Sequence, residues 1–229
     1  MTQGSPSATP FAYRYAAPPA PPSGRISTSR REMTNILIAA AVLTFDIAYI
    51  ELRTFVFGGV LAAVAFGATA ALTGFVFHEL GHKIAAQRRG YWAEFRMSWL
   101  GLGLSVFTSV LVGFLLAAPG ATMVSGMADR RDWGRTSLAG PVVNLVEGGA
   151  FAAAGVALTA GNLLGAFAPY LLLLGFFNGW FATFNLVPLG PLDGRKVLSW
   201  SAPVWGVAFA VSAALAAGTF ALFFGYIRV

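Results

Sequence analysis

Cysteine is absent from the 229 residues, which excludes disulfides, thiolate metal sites and cysteine nucleophiles. Charge is scarce as well. Only 10% of the residues are charged and 57% are hydrophobic, whereas a soluble domain carries about 25% charged residues. So few polar side chains cannot cover a globule of this size. Histidine occurs twice, at His78 and His82. The excess of 15 Lys and Arg over 9 Asp and Glu gives a net charge of +6. The basic residues sit in short blocks beside apolar runs, the pattern that orients membrane proteins, so no nucleic-acid partner is expected.

What the chain does contain is a series of apolar runs. About 18 such residues are enough to cross a bilayer. Spans are expected at 33–50, 58–87, 138–159, 169–187 and 203–227. A further run, 100–118, is interrupted by Gly101, Gly103 and Gly113 and broken by Pro119 and Gly120. Residues 1–32 open with a stretch rich in Pro, Ala, Ser and Thr that lacks the hydrophobic core of a signal peptide. They read as a disordered cytoplasmic tail. Residues 33–229 read as one membrane-embedded metalloprotease domain with its core at 58–196. The expected fold class is an all-α membrane protein, a polytopic helical bundle. It has about five transmembrane helices plus one re-entrant or hairpin-like apolar segment.

The chemistry concentrates in His78-Glu79-Leu80-Gly81-His82. On a helix, positions four apart share a face. Two imidazoles so placed can hold one tetrahedral zinc ion at about 2.0–2.1 Å each. The neighbouring carboxylate, Glu79, can then take a proton from the attacking water. The motif is flanked by apolar residues, and ionisable groups at that depth are by default functional. A catalytic zinc normally has three protein ligands. With no third histidine, the remaining ligand must be a carboxylate, and Asp46, Glu147 and Asp193 are the embedded candidates. Asp193 stands out because Pro188, Pro191 and Gly194 unwind the backbone around it. Such unwinding is tolerated in a membrane where it lines a cavity.

Three stretches together resemble the site-2 protease family of intramembrane zinc metalloproteases. They are His78 to His82, Ala139-Gly140-Pro141-Val142-Val143-Asn144, and the run from Asn185 through Pro188 and Pro191 to Leu192-Asp193-Gly194. The resemblance covers roughly residues 58–196. It implies one zinc ion per chain on His78, His82 and Asp193, with Glu79 as the catalytic acid/base. It also implies that Asn144 and Asn185 line the site and handle substrate, although hydrogen bonding between helices is an equal alternative for both. The implied activity is hydrolysis of a peptide bond in or near a transmembrane segment of a protein substrate.

One metal shared by His78 and Asp193 requires both at the same depth. That holds if 100–118 does not cross the bilayer. The blocks at Arg30–Arg31, Arg88–Arg89, Arg130–Arg131 and Arg195–Lys196 then all face the cytoplasm, a strong positive-inside bias. The expectation is a multi-pass cell-membrane protein with its active site toward the cytoplasm. A polar channel to it is expected along Gly81, Asn144 and 185–194. An edge in 100–118 would hold extended substrate by strand addition. A membrane metal transporter or sensor using the same ligands is the competing reading.

Overall fold

A computed structural model describes residues 26–54, 58–116, 119–126, 129–161 and 167–225. Helix α1 runs Arg30–Thr54, and Ser29 caps it by accepting from the Glu32 N–H at 3.1 Å. Its buried residues Ile36, Ala39, Leu43 and Ile47 recur at three- and four-residue spacing, so one face turns inward. Helix α2, Val60–Ala71, continues through a π-helical turn, Leu72–Val76, into α3, Phe77–Gln87. The three form one 28-residue apolar helix. It lies close against α1: a Cβ on Gly67 would come within 2.6 Å of the Thr44 carbonyl oxygen.

A small antiparallel hairpin follows. Strand β1, Trp92–Met97, pairs with β2, Gly120–Ser125, and Met97 faces Gly120. The intervening residues carry the 13-residue helix α4, Trp99–Leu111, capped by Ser98. Paired strand ends mean that this segment leaves and returns at one place. On the way α4 lies along α1, with the Ser109 hydroxyl donating to Asp46 at 2.8 Å.

The second half is helical. Helix α5, Arg130–Ala160, is capped by Asp129 and carries Pro141 inside. Helix α6, Ala168–Asn185, ends before the prolines. Helices α7, Asp193–Trp200, and α8, Ala202–Phe223, complete the described chain. Small residues let α5, α6 and α8 approach closely, as in membrane helix packing. A Cβ on Gly179 of α6 would lie 2.8 Å from the Ala216 backbone nitrogen of α8.

Among the described residues, four helices are long and apolar enough to cross a membrane: α1, the α2–α3 helix, α5 and α8. Helix α6 takes the place of the remaining expected span. It has 18 residues and carries two asparagines, Asn178 and Asn185. The described residues are mostly helical, as expected, and the two strands at 92–97 and 120–125 are the addition. In the run 100–118 the described residues, up to 116, hold most of the 13-residue helix α4 and contain no strand. The tail expected at 1–32 lies outside the described residues up to 25. From there Ser27 and Thr28 are hydrogen-bonded to Gln87 and Lys83 of α3, and α1 begins three residues before the expected span.

Candidate metal centre

The helix α3 places His78 and His82 one turn apart. Their rings stand edge to face at 86°, with Nε2 atoms 3.0 Å from each other. The chain between α6 and α7 turns tightly enough that a Cβ on Gly194 would fall 2.0 Å from the Leu186 carbonyl oxygen. Only glycine fits there. That turn delivers Asp193, whose Oδ2 lies 2.9 Å from His82 Nε2 and 3.5 Å from His78 Nε2. All three residues are buried, and their ligand atoms lie within 4.8 Å of one another. Tetrahedral zinc with bonds of about 2.0–2.1 Å sets its ligand atoms roughly 3.3 Å apart. The three observed separations bracket that spacing, so the donor set fits zinc.

Space is kept for the centre by Gly140 of α5. A Cβ there would lie 2.5 Å from His82 Nε2 and 2.7 Å from His78 Nε2. The Nδ1 atoms are engaged on the far sides of the rings. His82 Nδ1 is 2.8 Å from the Thr136 carbonyl oxygen, and His78 Nδ1 is 2.6 Å from Asn144 Oδ1. A carbonyl can only accept, so Nδ1–H is the proton-bearing position of His82 and Nε2 is the free donor atom. The same holds for His78, because the Asn144 amide is turned by its other contacts. Its nitrogen donates to the carbonyl of Gly74 at 2.9 Å and to Asn178 Oδ1 at 3.1 Å. The Gly74 carbonyl belongs to the π-helical turn, where the normal helix ladder is interrupted.

Glu79 faces the other way around α3, toward the hairpin. Its Oε2 accepts from the Thr122 N–H at 2.9 Å and from the Thr122 hydroxyl at 2.7 Å. A cavity of about 130 Å³ joins these groups. It is lined by His78, Glu79, His82 and Asp193, by Thr122 and Val124 of β2, and by Trp133, Asn185 and Lys196 among others. Just before β1, Tyr91 donates to Asp132 at 2.5 Å, and this hydrogen bond raises the phenol above its ordinary value.

The structure therefore brings together His78, Glu79, His82 and Asp193 as expected. Of the other carboxylate candidates, Asp46 is bound by Ser109 of α4, and Glu147 is not in the cluster. Asn185 lines the cavity, its amide bonded to the Phe181 carbonyl. Asn144 does not: it is fully buried behind His78. Gly81 does not line the cavity either: a Cβ there would lie 3.0 Å from Val143 and 3.1 Å from the Ala139 carbonyl oxygen of α5. Sequence reasoning missed Asn178 and Thr122. An asparagine in an apolar run, seven residues and so two turns before Asn185, was the available signal for the first.

A curated protein of Methanocaldococcus jannaschii, provisionally named zinc metalloprotease MJ0611, is 31% identical over 181 residues, covering 78% of this chain and 89% of the relative. No family model matches the chain, and no solved structure matches it.

Proposed function

The chain belongs to the zinc metalloprotease family of its archaeal relative, and from that premise we propose that it is an intramembrane zinc endopeptidase of the site-2 protease type. It hydrolyses a peptide bond in or near a transmembrane segment of another membrane protein. The observation that carries the reading is the convergence of His78, His82 and Asp193, with Glu79 lining the same cavity, on helices apolar enough to lie in a bilayer.

His78, His82 and Asp193 would hold the metal by Nε2, Nε2 and a carboxylate oxygen. The chemistry such an ion would supply is Lewis-acid activation of the scissile carbonyl and of water. Glu79 accepts the proton of the attacking water and passes it to the leaving amine. Thr136 and Asn144 keep the imidazoles in the ligand tautomer. Since a helix hides its carbonyls in its own hydrogen bonds, the substrate must unwind locally before it can react.

In this reading α6 is the fifth span, the hairpin and α4 enter and leave on one side, and the site faces the cytoplasm. His78 lies ten residues before Arg88, about 15 Å along the helix axis. The basic blocks flanking α3, α5 and α7 agree with that orientation.

The test is purified protein in bilayer discs with a single-span reporter. Wild-type protein with zinc should cleave it; Glu79→Gln should retain zinc and lose cleavage. Cleavage by Glu79→Gln at the wild-type rate would remove the catalytic assignment.

A further inference from the structure

We infer that Lys196 is a positioning residue for the metal site: it engages one oxygen of Asp193 and so keeps that carboxylate a one-oxygen ligand. The inference rests on the zinc-site reading above. Asp193 turns Oδ2 toward the two imidazoles, while Oδ1 lies 3.3 Å from Lys196 Nζ. A carboxylate can bind a cation through one oxygen or through both. Two-oxygen binding would add a ligand and crowd the position that a catalytic zinc must leave open. An ammonium on Oδ1 opposes that by holding the second oxygen away.

The local fold explains why Lys196 reaches Oδ1. Lys196 follows Asp193 by three residues on α7, so both side chains share a face. The ammonium also stands 5.8 Å from the centre of the Trp133 ring, a cation–π contact that ties it to α5 at the cavity wall. Here the Asp193 side chain is only 10% exposed and that of Lys196 35%. The cation therefore stays partly hydrated while it fixes a buried ligand.

The experiment uses the full chain in detergent micelles. Zinc affinity is measured by competition with a chromophoric chelator, and coordination is read from the visible spectrum of the cobalt(II)-substituted protein. Lys196→Met should bind zinc about tenfold more tightly, because a second oxygen is freed for the metal and a neighbouring cation is gone. Its cobalt bands should fall in intensity, since five-coordinate cobalt absorbs less than four-coordinate. Lys196→Arg should keep the wild-type spectrum, and neither variant should change the melting temperature of the metal-free protein. Wild-type affinity and spectrum in Lys196→Met would overturn this inference alone. A wild-type chain that takes up no metal would overturn the zinc-site reading with it.

Discussion

Thr122 donates two hydrogen bonds to the same oxygen of Glu79, one from its backbone at 2.9 Å and one from its side chain at 2.7 Å. The contact ties the hairpin to the helix that carries both histidines. It also defines the orientation of the sheet. Because the Thr122 N–H points at Glu79, the outward-facing groups of β2 are those of Gly120, Thr122 and Val124. On the other strand the outward-facing Phe95 N–H goes to Glu32 of α1 at 3.1 Å. The sheet is thus wedged between α1 and α3, with the outward edge of β2 at the cavity.

In the proposed reaction the Thr122 hydroxyl would hold one Glu79 oxygen and leave the other to meet the attacking water. Thr122→Val removes that hydroxyl and keeps the N–H bond. Hydrogen bonds to charged groups contribute about 1.5–3 kcal/mol, so turnover should fall roughly ten- to hundredfold. Zinc content, measured by atomic absorption, should stay at the wild-type level. Unchanged turnover would show that the N–H alone fixes the base.

If substrate adds as a strand, it adds to β2 rather than within 100–118. Val124→Pro would remove an outward N–H without breaking the β1–β2 ladder, a position where an edge tolerates proline. Cleavage of the single-span reporter should drop about two- to tenfold with zinc retained, since a lost backbone hydrogen bond costs about 0.5–1.5 kcal/mol. Pairing also blocks the neighbouring bonds. Gly103→Val serves as the control. A Cβ there meets nothing within 4 Å, so cleavage should continue.

The long helices were legible in sequence because apolar runs of spanning length leave few alternatives. The metal cluster was legible because four-residue spacing on a helix and a broken helix end each restrict geometry. The hairpin was not. Its strands are six residues each, lie 22 residues apart, and gain their stability from α1 and α3 rather than from their own pattern. The π-helical turn was equally hidden: Leu72 to Val76 reads as ordinary apolar helix, and only Asn144 against the Gly74 carbonyl reveals why the turn matters. The resemblance leaves Asn144 open between lining the site and bonding between helices, and its contacts to His78, Gly74 and Asn178 are of the second kind.

Gly140 marks where the centre admits no additional atom. In Gly140→Ala the new methyl group would stand within 2.7 Å of both ligating nitrogens, so either α5 or the rings must move. Zinc binding should weaken by roughly 100-fold, the upper end of what disturbing the surroundings of a ligand costs. Chelator competition measures it. Near-wild-type affinity would mean that the imidazoles sit farther from α5 than this geometry places them.

Glu32 and Lys83 form an ion pair at 2.5 Å with side chains 0% and 1% exposed. The second Glu32 oxygen takes the Phe95 N–H, and Lys83 also donates to Thr28 at 2.7 Å. The pair therefore joins α1, α3 and β1 one residue from His82. Glu32→Gln can still accept from Phe95, yet it strands a buried ammonium, which costs about 3–5 kcal/mol. The melting temperature in detergent should fall clearly, while zinc affinity measured well below it should hold, because neither residue touches the metal. Adding Lys83→Met to Glu32→Gln should recover most of the loss, since no ammonium is then left buried and the Phe95 N–H keeps its acceptor. Full stability in Glu32→Gln would mean that water reaches Lys83, and that α1 is not clamped to the histidine helix at this point.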